Sequence, residues 1–448
     1  MTDPTPSPSI ADVERALLDR WPENQIAPSL ERMSALMTAL GCPQRSFPVI
    51  HVAGTNGKTT TARIIDDLLR AAGLRVGRYT SPHLQRISER IVVDGRPLDD
   101  AGFVSAYQRV APAAAQVDSS SPVPLSFFEI VTAMALVTFA DLAVDVAVIE
   151  VGLGGTWDAT NVVDGEVAVI TPIALDHTDL LGPDEVSIAG QKAGIIKRGA
   201  VTVLARQTTP VRAVLTDRAR ALGATVVRVG QDLRVVSRAA QPEGQLLDVQ
   251  GTSSGYGDLV VFLPLLGVHQ ADNALTALAA TEAFLAPRGL LPSADCVQRT
   301  LARVSSPGRL ETVRTDPLVL VDASHNPAGM AVSVRALREA FPTTEFLAVV
   351  AAAGDKDVRG MLAGLSPLVT DVLVTRNSSP RSLPPDDLAA LAAEVLGAER
   401  VSTHPDLPSA VTDAVRRAEA GSARLGTDTG VLVTGSVVTA GEARALLT

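Results

Sequence analysis

The stretch Val49–Thr60, VIHVAGTNGKTT, decides the fold. Phe47–Ala53 is a short apolar run with the length and β-branched content of a buried strand. A glycine-containing turn follows, and a helical pattern then runs from Lys58 to Ala72 and stops at Gly73. Backbone N–H groups of Gly54, Thr55, Asn56, Gly57 and Lys58 in such a turn can cradle phosphates, and the helix N-terminus adds its dipole. Lys58 would then reach the β and γ phosphates, while Thr59 could bind phosphate or Mg²⁺. The usual phosphate-loop spacing wants Gly at position 52, where this chain has Val52; the strand–turn–helix context supplies what the pattern lacks.

Outward from that loop the alternation continues, which predicts an α/β protein around a mainly parallel sheet. Strands are expected at Leu74–Tyr79, Val144–Val151, Val167–Thr171 and Val201–Ala205, and a helix at Ala271–Phe284. Ser81–Asp100 and Ala111–Pro124 carry no clear period and are expected to be loops. Val304–Gly308, VSSPG, is a candidate hinge. Beyond it come strands at Leu318–Val321, Phe346–Ala351, Asp371–Thr375 and Val431–Thr434, with helices at Pro327–Ala340, Asp386–Val395 and Ser409–Glu419. The division is thus a disordered N-terminus 1–9, an N-terminal P-loop ATPase domain 10–303, the linker 304–308, and a smaller Rossmann-like α/β domain 309–448.

Composition narrows the function. The chain has 448 residues, 46% hydrophobic and 20% charged, which is globular. A net charge of −10 argues against a broad nucleic-acid surface. Cys42 and Cys296 make neither a disulfide framework nor a zinc pattern, so a reducing compartment is expected. The N-terminus lacks a signal-peptide pattern, and the apolar stretch Ile130–Ala140 is too short to cross a bilayer. A cytoplasmic protein is the expectation. Lysines are scarce: Lys58, Lys192, Lys197 and Lys356 are the four among 39 basic residues. Lysine where arginine is the habit marks sites needing a compact ammonium or a neutralisable amine.

Two more stretches carry chemistry. In VDVAVIEVGLGGTWDATN (Val144–Asn161), Glu150 closes an apolar strand beside the phosphate loop, where a carboxylate can hold Mg²⁺ against ATP phosphates. ITPIALDHTDLLG (Ile170–Gly182) follows another strand and carries Asp176, His177 and Asp179. Lys192 lies on the helical segment after it; as an ammonium it suits a solvated face, and as a CO₂-derived carbamate it would suit a metal.

Together these motifs resemble the Mur ligase superfamily, and within it the folylpolyglutamate synthase and dihydrofolate synthase family. The resemblance spans about Pro28 to Gly435 and rests on HVAGTNGKTT (His51–Thr60), TSPHL (Thr80–Leu84), SFFE (Ser126–Glu129), EVGLGGTWDATN (Glu150–Asn161), LDH (Leu175–His177), QKAGIIK (Gln191–Lys197), GVHQADNA (Gly267–Ala274), PGR (Pro307–Arg309), DASHNP (Asp322–Pro327) and GDKD (Gly354–Asp357). It implies ATP cradled by Gly54–Thr60, with Asn273, Arg309, Asp322 and His325 completing the nucleotide site. It implies one Mg²⁺ on Ser81 and Glu150 and a second on Glu150, His177 and carbamylated Lys192. Lys58, Lys192, Asp322 and His325 are the implied catalytic set. The pterin-bearing substrate would lie near Pro28, Ser29 and Leu30, Ser126, Phe127, Phe128 and Glu129, and Trp157, Asp158 and Ala159. Two departures stand out: the loop reads GKTT rather than GKGS, and Thr156 and Trp157 follow GLGG where the family carries Arg.

The implied activity is ATP-dependent addition of L-glutamate to tetrahydrofolate (poly)glutamates through an acyl phosphate, by a monomeric enzyme; whether dihydropteroate is also an acceptor is left open by the sequence. A muropeptide-acting Mur ligase, which GKTT favours, and a P-loop ATPase that forms no amide are the competing readings.

Overall fold

The computed structural model describes residues 8–21, 28–251, 258–425 and 428–448. The expected disorder at 1–9 therefore falls mostly outside the described residues; Ser9 caps a helix that begins at Ile10.

The first sheet has eight strands: β1 Val49–Ala53, β2 Val76–Tyr79, β3 Ile91–Val93, β4 Arg96–Pro97, β5 Val146–Glu150, β6 Gly165–Ile170, β7 Val201–Leu204 and β8 Thr225–Arg228. Their order is β4-β3-β2-β5-β1-β6-β7-β8, parallel from β2 to β8, with β3 and β4 antiparallel at one edge. Every residue of β1, β2 and β5 is buried, as strands covered by helices on both faces require. One face packs on helices Glu31–Ala39, Asp100–Ser120 and Phe127–Asp141 through Leu36, Phe103, Ile130 and Phe139. The other packs on helices Glu185–Lys192 and Thr209–Ala221 through Ile188, Leu204 and Leu215. Phe127–Asp141 is apolar on nearly all sides and correspondingly buried; truncating a residue such as Ile130 to Ala there costs about 2–5 kcal/mol.

Two expectations are corrected. Ala111–Pro124 is not a loop: the helix Asp100–Ser120 runs straight through Pro112. Phe103, Ala106, Val110, Ala114 and Val117 form a buried stripe at helical spacing, and that packing outweighs the lost N–H of one proline. Ser81–Asp100 is only partly a loop, since it holds the 3₁₀ turn Ile87–Arg90 and the β3–β4 hairpin, turned at Asp94-Gly95.

A three-stranded sheet was absent from the sequence reading: β9 Arg234–Gln241, β10 Gly244–Gln250 and β11 Leu259–Leu263, in the order β11-β10-β9. The last sheet is β12 Glu311–Thr315, β13 Leu318–Val321, β14 Glu345–Val350, β15 Val369–Val374, β16 Val401–Thr403 and β17 Thr429–Thr434. Its order is β12-β13-β17-β14-β15-β16, parallel except for β12. The fold is therefore mixed α/β with parallel-rich sheets.

Two compact units emerge: Met1–Arg234 with Gln250–Leu259 and Asp272–Thr300, and Val235–Val249 with Val260–Ala271 and Leu301–Thr448. The small sheet thus groups largely with the C-terminal segment, whereas the sequence division ran from 10 to 303.

Candidate active site

β1 delivers the chain into the turn Gly54–Gly57 and the helix Lys58–Ala71. Register places Val52 beside Glu150 on β5 and Ala53 beside Ile170 on β6, so the three segments leaving these central strands are neighbours at their carboxyl ends. Gly57 has φ +87°, and a Cβ there would come within 2.4 Å of Asn273 Oδ1. Only glycine lets the loop and Asn273 approach this closely. Thr55 N and Asn56 N donate to Pro172 O at 3.0 and 3.3 Å. Thr55 Oγ1 also donates to Ala174 O at 3.1 Å and accepts from Ala174 N at 3.2 Å. Lys58 Nζ folds back over the turn, donating to Gly54 O and Thr55 O at 3.1 Å each.

Glu150 ends β5 and is 1% exposed. Its Oε1 accepts from Thr59 Oγ1 at 3.0 Å and its Oε2 from Ser81 N at 3.4 Å. Thr59, Ser81 and Glu150, far apart in sequence, thus meet, with a hydroxyl and a backbone N–H on one carboxylate. That carboxylate fits Mg²⁺, which shares its sphere with phosphate and water. Among the described residues no three His, Cys, Asp or Glu side chains converge as a metal site. What the chain offers is a half-site suited to a phosphate-borne ion.

Lys192, at the end of helix Glu185–Lys192, is not on a solvated face. It is 4% exposed and its Nζ donates to Gly54 O at 2.8 Å. Burial, with Lys58's charge adding, pulls its pKa down to about 7, against the opposing pull of Asp176 and Asp158. The shift is toward the neutral amine, the form that reacts with CO₂, so a buried lysine beside the phosphate loop is compatible with a carbamate. Gly155 makes room for the helix end, since a Cβ there would lie 2.7 Å from Gln191 O. Thr156, the residue in place of the family's arginine, donates to Gln191 O from both N (3.0 Å) and Oγ1 (3.1 Å). His177 stands at φ +50° on the segment after β6, its side chain 41% exposed and its Nε2 3.8 Å from Asp176 Oδ1.

The residues expected at the acceptor divide into two kinds. Glu129 and Asp158 are buried and committed to the scaffold. Ser126 N donates to Glu129 Oε2 at 2.8 Å, Ser126 Oγ accepts from Glu129 N at 3.2 Å, and Arg32 Nε donates to Glu129 Oε1 at 3.2 Å. This capping box starts helix Phe127–Asp141. Asp158 Oδ2 accepts from Leu153 N at 2.8 Å, and Oδ1 from Thr160 N at 2.9 Å and from Thr160 Oγ1. Burial pushes the Asp158 carboxyl up, opposed first by the Leu153 bond. Ser29 Oγ likewise accepts from Glu31 N at 3.0 Å, and Leu30 precedes helix Glu31–Ala39. Ala159 joins the first core, and Trp157 packs on the opposite core, beside Gly154 and with Leu181. Phe127 and Phe128 present rings: Arg90 lies 4.9 Å over Phe127, and Phe128 sits 6.0 Å from Tyr79 and against Gly152. Arg90 Nε also donates to His83 Nδ1 at 3.0 Å.

In the second unit Arg309, Asp322 and His325 come together. Asp322 Oδ1 accepts from Leu310 N at 3.2 Å and Oδ2 from Ser333 Oγ at 2.8 Å. Arg309 Nη1 donates to Ala323 O at 3.4 Å, and His325 Nδ1 lies 3.0 Å from the same oxygen. His269, unassigned from the sequence, is half-buried here; desolvation pulls it down to about 4, with Asp322 opposing. Arg32 and Arg90, also unassigned from the sequence, hold Glu129 and the Phe127 ring respectively.

Comparison with known proteins places the chain in a family. Residues 115–281 match the Mur ligase middle domain and 308–437 the Mur ligase, glutamate ligase domain. A dihydrofolate synthase/folylpolyglutamate synthase of Mycobacterium tuberculosis is 46% identical over 99% of this chain and 95% of its own length. The structure of M. tuberculosis folylpolyglutamate synthase complexed with ADP superposes with a TM-score of 0.92 at 46% identity, covering 98% of both chains. A folylpolyglutamate synthase–AMPPCP–folate complex gives 0.82 at 30% identity, covering 98% of this chain and all of the other. This chain therefore belongs to the folylpolyglutamate synthase/dihydrofolate synthase family of Mur ligases.

Proposed function

We propose that the protein joins L-glutamate to the carboxyl group of reduced folates, and to dihydropteroate, with ATP as the energy source. The observation that carries the reading is the meeting of Thr59, Ser81 and Glu150 at a phosphate loop whose Gly54 carbonyl is held by a buried lysine. Family membership supplies the acceptor class.

The acceptor carboxylate attacks the γ-phosphorus of ATP, giving an acyl phosphate and ADP. The neutral amine of glutamate then attacks the acyl carbon, and inorganic phosphate leaves as the amide forms and the nitrogen loses its proton. Loop N–H groups other than those of Thr55 and Asn56, which donate to Pro172 O, and Lys58 neutralise the transferring phosphoryl group, which needs positioning and charge more than a side-chain nucleophile. Mg²⁺ held by Ser81 and Glu150 would supply Lewis-acid charge at the phosphates, and Lys192 as a carbamate, with Glu150 and His177, would hold a second ion. In this reading the pterin lies beside the partly buried Phe128, and the buried Phe127–Arg90 pair, Glu129, Asp158, Ser29 and Ala159 shape the wall behind it. Asn273, Arg309, Asp322 and His325 complete the nucleotide site in this reading. In this reading residues 304–308 are a hinge, and the acyl phosphate must be kept from water. No described helix is long and apolar enough to cross a membrane, and a monomer acting in the cytoplasm is the arrangement proposed.

The test is phosphate release from ATP with Mg²⁺ and L-glutamate, crossed against dihydropteroate, tetrahydrofolate, a UDP-muropeptide and no acceptor. Release requiring glutamate and a pterin together is expected. Release with the muropeptide alone, or with no acceptor, overturns the folate assignment.

A further inference from the structure

Gln207 lies outside every motif of the sequence, on the segment between β7 and helix Thr209–Ala221. Its partly buried side chain nonetheless makes three hydrogen bonds to one stretch of backbone. Nε2 donates to Thr171 O at 3.0 Å and to Ile170 O at 3.4 Å, and Oε1 accepts from Ile173 N at 3.1 Å. Donor and acceptor sides of the amide are both used. The stretch they grip has just left β6 and includes Pro172, which has no N–H to offer a neighbour.

That stretch is the floor of the phosphate loop. Pro172 O accepts from Thr55 N and Asn56 N, Ala174 exchanges two hydrogen bonds with the Thr55 hydroxyl, and Thr171 N donates to Ala53 O at 2.8 Å. Three residues past Ala174 the same segment carries His177. Atoms that orient a phosphate cradle must be held to within about half an ångström, which takes a supporting layer of hydrogen bonds beneath them.

We infer that Gln207 is a positioning residue for the nucleotide: its amide fixes the Ile170–Ile173 backbone, which sets the phosphate loop through the Pro172 carbonyl. This rests on the reading that the chain binds ATP. A structural role alone would lower stability and leave the ligand affinities in proportion. A positioning role separates the nucleotide from the acceptor.

The experiment uses the full chain. ADP binding with Mg²⁺ is measured by calorimetry, alongside KM for ATP and for tetrahydrofolate, in wild type, Gln207→Ala and Gln207→Glu. Gln207→Ala is expected to weaken ADP about ten-fold while the tetrahydrofolate KM stays within about two-fold. Gln207→Glu keeps an acceptor for Ile173 N but sets a carboxylate against two carbonyl oxygens. Those oxygens raise its pKa and make its protonated form the donor. Its ADP affinity should therefore recover relative to wild type as pH falls from 8 to 6. Equal ADP affinity in Gln207→Ala, or a parallel loss of both substrates, overturns the inference. Should Gln207→Ala not fold, Gln207→Glu decides, and a flat pH response relative to wild type overturns the inference. Wild-type protein that binds no ADP overturns the nucleotide reading and this inference together.

Discussion

Glu150, closing a central strand, and Glu129, in the first turn of a helix packed on the same sheet, are both buried glutamates, yet their surroundings assign them opposite work. Glu150, 1% exposed, gathers a hydroxyl from the phosphate-loop helix and an N–H from the segment after β2. Glu129, 5% exposed, is bound by the N–H of its own helix cap and by Arg32. The first carboxylate joins segments distant in the chain at a place where phosphates would arrive. The second finishes a helix end that would otherwise leave donors unsatisfied. Asp158 follows the pattern of Glu129, with its own turn's N–H groups filling both oxygens. At the phosphate loop the motif carboxylate binds groups from segments distant in the chain; at Ser126–Glu129 and Leu153–Thr160 the motif carboxylates build the turns themselves.

Three substitutions test that division, beginning with the largest effect. Glu150→Ala should lower ATP turnover at least about a thousand-fold, the scale of several kcal/mol of lost charge stabilisation, with an unchanged circular dichroism spectrum. An active Glu150→Ala enzyme removes the metal half-site. Lys192→Ala should lose about a hundred-fold in kcat, and bicarbonate should not restore it, while acetate or another short carboxylic acid should restore part. Full activity in Lys192→Ala ends the carbamate proposal. Glu129→Ala should instead show its effect in denaturant melts. Leaving the Ser126 N–H and Arg32 unmatched costs about 1–3 kcal/mol, with kcat kept within a few-fold. Were kcat to collapse while stability held, Glu129 would belong with Glu150 after all.

The same contrast explains what could be read from the chain alone. Strand–turn–helix at Val49–Ala71 and the carboxylate closing Val146–Glu150 were legible because buried parallel strands are continuous apolar runs and a phosphate turn needs particular residue types. The second α/β unit was legible by the same alternation. Helix Asp100–Ser120 was not, because Pro112 and a serine-rich end masked a buried stripe at helical spacing. β9 escaped because its residues are largely exposed and carry no period-two alternation. The scaffold role of Asp158 was invisible for another reason. A sequence records that an aspartate stands in a glycine-rich turn, not that two backbone N–H groups will close on it. Gln207 gave no sign at all, since its partners are backbone atoms that any sequence at Ile170–Ile173 would supply.

His51 ties the two regions together and yields the smallest prediction. It lies on β1 just before the phosphate loop, fully buried, with Nε2 2.9 Å from Thr160 Oγ1 in the acceptor-side turn. Burial, helped by the charge on Lys197, pulls its pKa down to about 3. In the unfolded chain the imidazole titrates near its ordinary value of about 6.5. Between those values the unfolded state binds a proton that the native state refuses, so stability rises with pH across the window and falls as the solution is acidified through it. At pH 5 the loss from this one group is on the order of 2 kcal/mol, and it vanishes by about pH 7.5. His51→Gln keeps a polar partner for Thr160 and cannot charge. Urea melts of the two proteins at pH 7.5 and pH 5 should therefore show the variant losing about 2 kcal/mol less than wild type on acidification. Equal losses would mean that His51 is protonated in the folded protein, and that the strand feeding the phosphate loop is open to water.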